Sequence, residues 1–83
     1  MYMYILKCKY NNQNSFYGKA IVIGNNDIIR LYSYETEVCK IENNKPKILI
    51  DNLSQTTLKH LKEFLLQEGF KADTKKQILN DYK

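Results

Sequence analysis

One histidine, two cysteines and a pair of neighbouring glutamates are the side chains of this 83-residue chain that could do acid–base or nucleophilic chemistry. A histidine activates a serine, threonine or cysteine only when the two side chains lie within hydrogen-bonding reach. No local spacing pairs His60 with such a nucleophile, so we expect it on the surface of a helix. Glu35 and Glu37 share one face of a strand, where exposed carboxylates are usually solvated charges. We therefore predict no catalytic residue.

The two cysteines, Cys8 and Cys39, are far apart in the sequence. Secreted domains held by disulfides usually contain more cysteines, so we expect two reduced thiols that pack as small apolar side chains. Together with His60 they lack the paired-ligand spacing of a zinc site. No glycine-rich loop precedes a helix, so no phosphate-binding loop is indicated. We predict neither a metal nor a cofactor.

Tyrosines and lysines indicate binding rather than catalysis. The chain has seven tyrosines, more than a small core can bury, and a formal net charge of +4. Tyrosine interleaved with lysine can stack bases and contact phosphates, but exposed tyrosine beside a few charges is equally typical of a protein-binding hot spot. The candidate protein-binding residues are Tyr34, Glu35, Glu37 and Glu42, whose carboxylates could mimic phosphate. The candidate nucleic-acid-binding residues are Lys7, Lys9, Lys19, Lys75 and Lys76.

A helix over Ser54–Phe70 is the element that the sequence defines best. Ser54 is the expected N-cap, and Gly69 is the expected left-handed residue at the C-terminal end, with Phe70 folding back on Leu65. The apolar face carries Leu58, Leu61 and Leu65. The polar side is predicted to carry Thr56, Lys59, His60, Glu63 and Gln67.

Turn-separated strands precede this helix. Residues 2–10 alternate, and we expect the even-numbered side chains to pack inward: Tyr2, Tyr4, Leu6, Cys8 and Tyr10. Further strands are expected over 16–23, with a bulge or a close chain approach at Gly18, from Ile28 through Tyr32, and over 48–50. Turns are expected at 11–14, 24–27 and 43–46. Ser33–Thr36 is either a bulge within one long strand or a corner between two strands, and beyond it Glu35, Glu37, Cys39 and Ile41 are expected on one face.

The predicted fold class is therefore α+β: an antiparallel β-meander of four to five strands, one amphipathic helix packed on one face, and a short C-terminal helix. Residues 1–83 form one small domain, in which 71–83 is either a short helix capped by Asp73 or a flexible tail. The sequence has no apolar run long enough to cross a membrane and no signal-peptide pattern at its start. We expect a cytoplasmic protein.

Two segments together resemble a small uncharacterised domain that recurs in phage and mobile-element proteins. The residues that carry the resemblance are an S-Y-x-T-x-V strand and a helix: Ser33, Tyr34, Thr36 and Val38, then Ser54, Thr56, Thr57, His60, Leu61, Lys62, Phe64 and Leu65. The resemblance implies an origin in a phage or integrated element of a bacterial host. Small non-enzymatic proteins from such sources often inhibit a host protein, and CRISPR effector nucleases are among their targets.

Protein binding is accordingly the leading hypothesis, and nucleic-acid binding through the lysines is the alternative. A homodimer formed by pairing of an uncovered edge strand is compatible with both.

Overall fold

A computed structural model describes residues 1–13 and 15–83, so part of the turn predicted at 11–14 lies outside the described residues. The chain forms one five-stranded antiparallel sheet in the order β1-β2-β3-β4-β5. Two helices follow it. The elements are β1 (Tyr2–Ile5), β2 (Ala20–Gly24), β3 (Ile28–Ser33), β4 (Thr36–Glu42), β5 (Lys45–Ile48), α1 (Gln55–Gln67) and α2 (Lys75–Tyr82). The predicted α+β meander is confirmed.

The helices cover one face of the sheet, which we call the inner face. Val22, Leu31 and Ile48 of the sheet are buried in the same cluster as Phe64 of α1 and Ile78 of α2. Residues that alternate with them along the strands remain partly exposed on the outer face, which neither of the two described helices covers. The core is thus a single layer between the sheet and the two helices.

Helix α1 ends as its sequence predicts. The Ser54 hydroxyl accepts the Thr57 N–H at 3.1 Å and caps the first turn. At the other end Gly69 has φ +89°, and the Phe70 N–H donates to the Leu65 carbonyl at 2.8 Å. A left-handed glycine makes this reversal possible, and the bond satisfies one of the carbonyls that the helix leaves free.

The side of α1 that was predicted to be polar is partly buried, which corrects the sequence-based expectation for Glu63. Glu63 is only 1% exposed, and its carboxylate accepts the N–H groups of Tyr10 at 2.9 Å and Asn11 at 3.0 Å. The Gln67 amide donates to the same carboxylate at 2.7 Å. The segment between β1 and β2 lies against this side of the helix, so α1 is covered on two sides. A buried carboxylate is tolerated because several donors satisfy it.

The predicted inward packing of residues 2–10 is wrong for the tyrosines. Strand β1 ends at Ile5, and of the even-numbered side chains only Leu6 is fully buried, while Cys8 is half-buried. Tyr2, Tyr4 and Tyr10 are 44%, 39% and 61% exposed. The reason is that the helices pack mainly on β3, β4 and β5, and only the C-terminal end of α1, at Gln67 and Glu68, lies near Tyr4.

Strand β2 starts at Ala20 rather than Phe16. Gly18 lies in a turn before β2 and has φ +74°, so it is not a bulge within the strand. A Cβ atom at this position would have no other atom of the described residues within 4 Å, so none of the described chain segments approaches closely either. Strand β5 ends where the predicted strand over 48–50 begins, so the expected position was too late in the sequence.

Segment Ser33–Thr36 is the corner between two strands, not a bulge in one. Tyr34 and Glu35 form a two-residue turn between β3 and β4. A register shift does occur further along this hairpin, where Tyr32 pairs with Glu37 but Leu31 pairs with Cys39. Because of this shift Glu37 and Cys39 lie on opposite faces, which corrects the predicted alternation.

The C-terminal segment forms the short helix rather than a flexible tail. Its N-cap is Thr74, one residue after the predicted Asp73, and the Thr74 hydroxyl accepts the Gln77 N–H at 3.1 Å. Ile78 is fully buried, and the Tyr82 hydroxyl donates to the Lys71 carbonyl at 2.7 Å. Within the described residues, no helix is long and apolar enough to cross a membrane.

Candidate functional site: the Tyr34 groove

The turn between β3 and β4 holds two residues in a conformation that they disfavour. Tyr34 has φ +52° and Glu35 has φ +70°. The equivalent turn between β4 and β5 uses Asn43 and Asn44, with φ +54° and +61°. Asparagine tolerates this left-handed region, whereas other L-residues lose about 1 kcal/mol each or more. Tyrosine and glutamate at these positions therefore cost stability, and such strain is found preferentially at functional sites.

The Tyr34 ring is held in place and yet exposed. Its backbone N–H donates to the Lys19 carbonyl at 2.9 Å. Its ring lies against the His60 imidazole with a centroid separation of 5.7 Å and an angle of 34°. Even so, Tyr34 is 53% exposed. The turn thus presents a rigid aromatic side chain to solvent.

His60 lies beneath that ring and is 1% exposed, so the prediction of a surface histidine is wrong. Its Nδ1 atom is 2.7 Å from the Ser33 hydroxyl, and Phe16 packs edge-on against the imidazole with ring centroids 4.5 Å apart. Burial lowers the pKa of His60 because it disfavours the charged imidazolium. Helical periodicity placed this residue at the edge of the polar face, but the residues before β2 cover that edge.

The Ser33–His60 pair has the residue types of a nucleophile and its base. Both residues are buried, with exposures of 2% and 1%. Within residues 1–13 and 15–83, no carboxylate forms a hydrogen bond with His60. The Ser33 hydroxyl also lies 3.4 Å from the Thr57 hydroxyl, which in turn accepts from Ser54 at 3.0 Å. This row of hydroxyls connects β3 to the first turn of α1, so the geometry favours a structural role for Ser33 and His60.

A groove of about 500 Å³ opens beside Tyr34, and we call it the Tyr34 groove. It lies between the start of β4 and the chain that leads from β5 to α1. The Leu49 N–H donates to the Val38 carbonyl at 2.8 Å, and beyond this bond the two segments separate. The residues that line the groove are Ser33, Tyr34, Thr36, Val38, Leu49, Ile50, Asp51, Asn52 and Thr57.

The lining of the groove combines apolar and acidic groups. Leu49, which is 40% exposed, and the half-buried Ile50 supply the accessible apolar surface, and the buried Val38 lies beneath them. Asp51 carries the negative charge, and its hydrogen bond from Lys83, at 2.8 Å, lowers the pKa of its carboxyl group. Such a groove can hold an aliphatic side chain, while Lys83 already pairs with the Asp51 carboxylate.

Residues 4–80 match a family of unknown function, DUF8033. The chain belongs to this family. No curated protein and no solved structure matches it. The matched span includes the whole Tyr34 groove.

The four predicted protein-binding residues of this DUF8033 domain do not form one acidic patch. Tyr34 and Glu35 lie together at the turn. Glu37 is on the outer face in an ion pair with Arg30, which raises the pKa of that guanidinium. Glu42 is at the far end of β4, roughly 20 Å from Glu35 along the strand, and lies 3.5 Å from Lys40.

The five predicted nucleic-acid-binding lysines are also dispersed. Lys7 and Lys9 line one groove together with Tyr4 and Glu68. Lys75 lines a second groove, and Lys19 and Lys76 are exposed outside both.

Two lysines that the sequence analysis had not selected join Lys75. Lys59 and Lys62 line the same groove and continue into a neighbouring one beside Tyr10. Their spacing of three residues on a helix was the signal that could have identified them.

Proposed function

We propose that this DUF8033 domain has no enzymatic activity and binds a partner protein through the Tyr34 groove. The observation that carries the proposal is the position of Tyr34, a rigid and exposed ring in a left-handed turn at the rim of the groove. Binding hot spots are typically aromatic side chains beside pockets, and rigidity lowers the entropic cost of binding. An Asn-Gly turn would be more stable at this position, so the presence of tyrosine indicates a role other than stabilising the fold.

The chemistry of the groove indicates what the partner offers. Leu49 and Ile50 fit an aliphatic side chain, and the carboxylate of Glu35, next to Tyr34 in the turn, favours a lysine or arginine nearby. The partner segment is therefore apolar and basic.

In its most specific form, the proposal is inhibition of a host nucleic-acid enzyme, such as a CRISPR effector nuclease, in the bacterial cytoplasm. Its support is the resemblance carried by residues 33–38 and 54–65, two segments that meet at the Ser33–His60 hydrogen bond. Enzymes that bind nucleic acids expose basic surfaces, which suits an acidic rim. Phosphate mimicry would involve Glu35, since Glu37 and Glu42 each have a cationic neighbour.

The test is affinity capture from lysate of a cell that encodes the protein, after nuclease treatment and a high-salt wash. The bait proteins are the natural sequence, Tyr34→Asn and Tyr17→Asn. Tyr17 is a matched control because it is also exposed, at 76%, and also has a positive φ, +54°.

We expect one protein to be retained by the natural sequence and by Tyr17→Asn. Its affinity for Tyr34→Asn, measured with the purified partner, should be at least about tenfold weaker, as is typical of a hot-spot residue. Equal affinity for both variants would refute the role of the groove.

Nucleic-acid binding is a second candidate, supported by one specific arrangement. Lys59, Lys62 and Lys75 line two adjoining grooves, and Tyr10, with 61% exposure, stands at one end. Three phosphate contacts would make the affinity for a single strand fall with salt, with a log–log slope of about −2.

Fluorescence anisotropy with a single-stranded oligonucleotide tests this second candidate. Lys59→Ala/Lys62→Ala should bind more weakly than Lys45→Ala/Lys47→Ala, which removes the same charge from the exposed β5 edge. An equal loss of oligonucleotide affinity in both variants would indicate only non-specific attraction to a basic protein.

A further inference from the structure

We propose that two copies of this protein pair through the free edge of β1 to form a two-fold symmetric dimer with a continuous ten-stranded sheet. The inference does not depend on the Tyr34 groove. It begins from the position of β1, which among the described residues pairs with β2 alone, so that its other edge is unpaired. All four residues of β1 are exposed.

The two edges of the sheet differ in chemistry. Strand β5 carries Lys45, Pro46 and Lys47, and both charged side chains and proline are devices that prevent an edge from pairing. The side chains of residues 1–6 are uncharged, and none of these residues is proline. Two copies of β1 can therefore approach without repulsion, whereas two β5 edges repel each other and β5 is a poor partner for β1. This asymmetry favours a closed dimer over an open fibre.

Strand β1 is also ordered before any partner arrives. The Tyr2 and Tyr4 rings stack with centroids 6.1 Å apart and planes 11° apart. The Tyr2 ring lies directly over Gly24 of β2, where a Cβ atom would come within 2.4 Å of it. Glycine at position 24 thus lets the tyrosine hold β1 against β2. A prearranged edge lowers the entropic cost of adding another strand.

The free backbone groups of this edge can be assigned. The Leu6 N–H donates to the Ala20 carbonyl at 2.9 Å, so the even-numbered residues direct their backbone groups towards β2. Backbone direction alternates along a strand, so the N–H and C=O groups of Met3 and Ile5 point to the free edge.

In a dimer with a two-fold axis perpendicular to the sheet at Tyr4, all four of these backbone groups form hydrogen bonds in each copy. Met3 of each copy would pair with Ile5 of the other, and Tyr4 would lie opposite its own symmetry mate. The axis keeps the helices of both copies on one face. On the other face it joins the apolar side chains of Met3 and Ile5, which are 69% and 55% exposed in the single chain. The burial of these side chains supplies the driving force.

Sedimentation equilibrium across a dilution series tests the proposal without any partner protein. The expected result is a reversible equilibrium between 9.9 kDa and about twice that mass. Met3→Pro removes an N–H that β2 does not use, so it should preserve the fold but weaken the dimer at least about tenfold relative to Met3→Ala. The circular dichroism spectrum of Met3→Pro should match that of Met3→Ala, which would show that the variant is folded.

The register has its own test. Opposite residues in a non-hydrogen-bonded pair have Cα atoms about 4.5 Å apart, within the range of a disulfide. Tyr4→Cys in a Cys8→Ser background should cross-link two copies on oxidation, while Thr56→Cys on exposed α1 should not. A monomer at every concentration, species that grow beyond the dimer, or a dimer that tolerates Met3→Pro would overturn the proposal. A Tyr34→Asn protein that still dimerises but loses its partner would separate this proposal from the function of the groove.

Discussion

The Ser33 hydroxyl and the His60 Nδ1 atom lie 2.7 Å apart in the interior and join β3 to α1. Ser33 is the last residue of β3, immediately before the strained turn, and His60 supports the Tyr34 ring on its other side. The pair therefore determines where the exposed aromatic side chain stands. A buried hydrogen bond thus has a direct consequence for the proposed binding surface.

The first prediction concerns pH. Burial gives His60 a lower pKa in the folded state than its ordinary value of 6.5, so the unfolded chain binds the proton more readily. The contribution of neutral His60 to the free energy of unfolding is complete above about pH 6.5 and decreases as the pH falls from there towards the lower folded-state pKa.

Urea denaturation at about pH 7 and about pH 5 measures this change. His60→Gln keeps an amide near Ser33 but cannot titrate, so its stability should fall less between the two pH values. The comparison between variants cancels the opposite effect of Glu68, whose pKa is raised by burial. If the stability of both proteins depended on pH in the same way, the lowered pKa of His60 would be contradicted.

The second prediction concerns Glu63. Its carboxylate accepts two backbone N–H groups and one amide in the interior, and hydrogen bonds to charged groups are the stronger ones. Glu63→Ala should lower the free energy of unfolding by about 2–3 kcal/mol, because the Tyr10 and Asn11 donors lose their partner. Lys59→Ala, at an exposed position one turn earlier, should change it by less than about 0.5 kcal/mol. If urea denaturation gave similar free energies of unfolding for Glu63→Ala and Lys59→Ala, the carboxylate would not hold the segment between β1 and β2.

The third prediction is that the Tyr34–Glu35 turn can be stabilised at the expense of the proposed binding function. Tyr34→Asn/Glu35→Gly places residues that favour the left-handed conformation where φ is +52° and +70°. The free energy of unfolding should increase by about 1–2 kcal/mol, which raises the midpoint of thermal unfolding, while partner binding is lost. Asn44→Gly in the other turn is the control and should change stability little. A lower midpoint for the double variant would argue that Tyr34 serves the fold.

The fourth prediction distinguishes the two thiols. Cys39 is fully buried, and burial raises the pKa of its thiol to about 12. Cys8 is also free but half-buried. A thiol-specific chromogenic reagent should label one cysteine in the native protein and two in denaturant, and Cys8→Ser should abolish the native reaction. Rapid labelling of native Cys39 would mean that the core opens readily.

Local signals in the sequence were sufficient for the α+β meander and α1. Caps, turns and alternation act over a few residues, which is why Ser54, Gly69 and the turn at 43–44 follow the expected pattern. The positions of His60 and Glu63 depend instead on the segment before β2, which is distant in sequence, and periodicity carries no information about a second layer of cover.

The candidate site was only partly predictable for the same reason. Tyr34 and Glu35 were selected because tyrosine beside charge suggests recognition, and they do lie together. The groove depends on where β5 ends and on the register shift beside Val38, which neither segment specifies alone. Tyr2 and Tyr4 showed the reverse: alternation predicted burial, but the helices pack mainly on β3, β4 and β5, and both tyrosines remain exposed.

Site-specific photo-cross-linking tests the central claim most directly. A photoreactive amino acid at Leu49, inside the Tyr34 groove and 40% exposed, would be activated in lysate of a cell that encodes the protein. We predict a covalent adduct with one protein that disappears when Tyr34→Asn is added and does not form from the same probe at Tyr17. An identical adduct from Tyr17, or an undiminished one in the Tyr34→Asn background, would contradict binding through this groove.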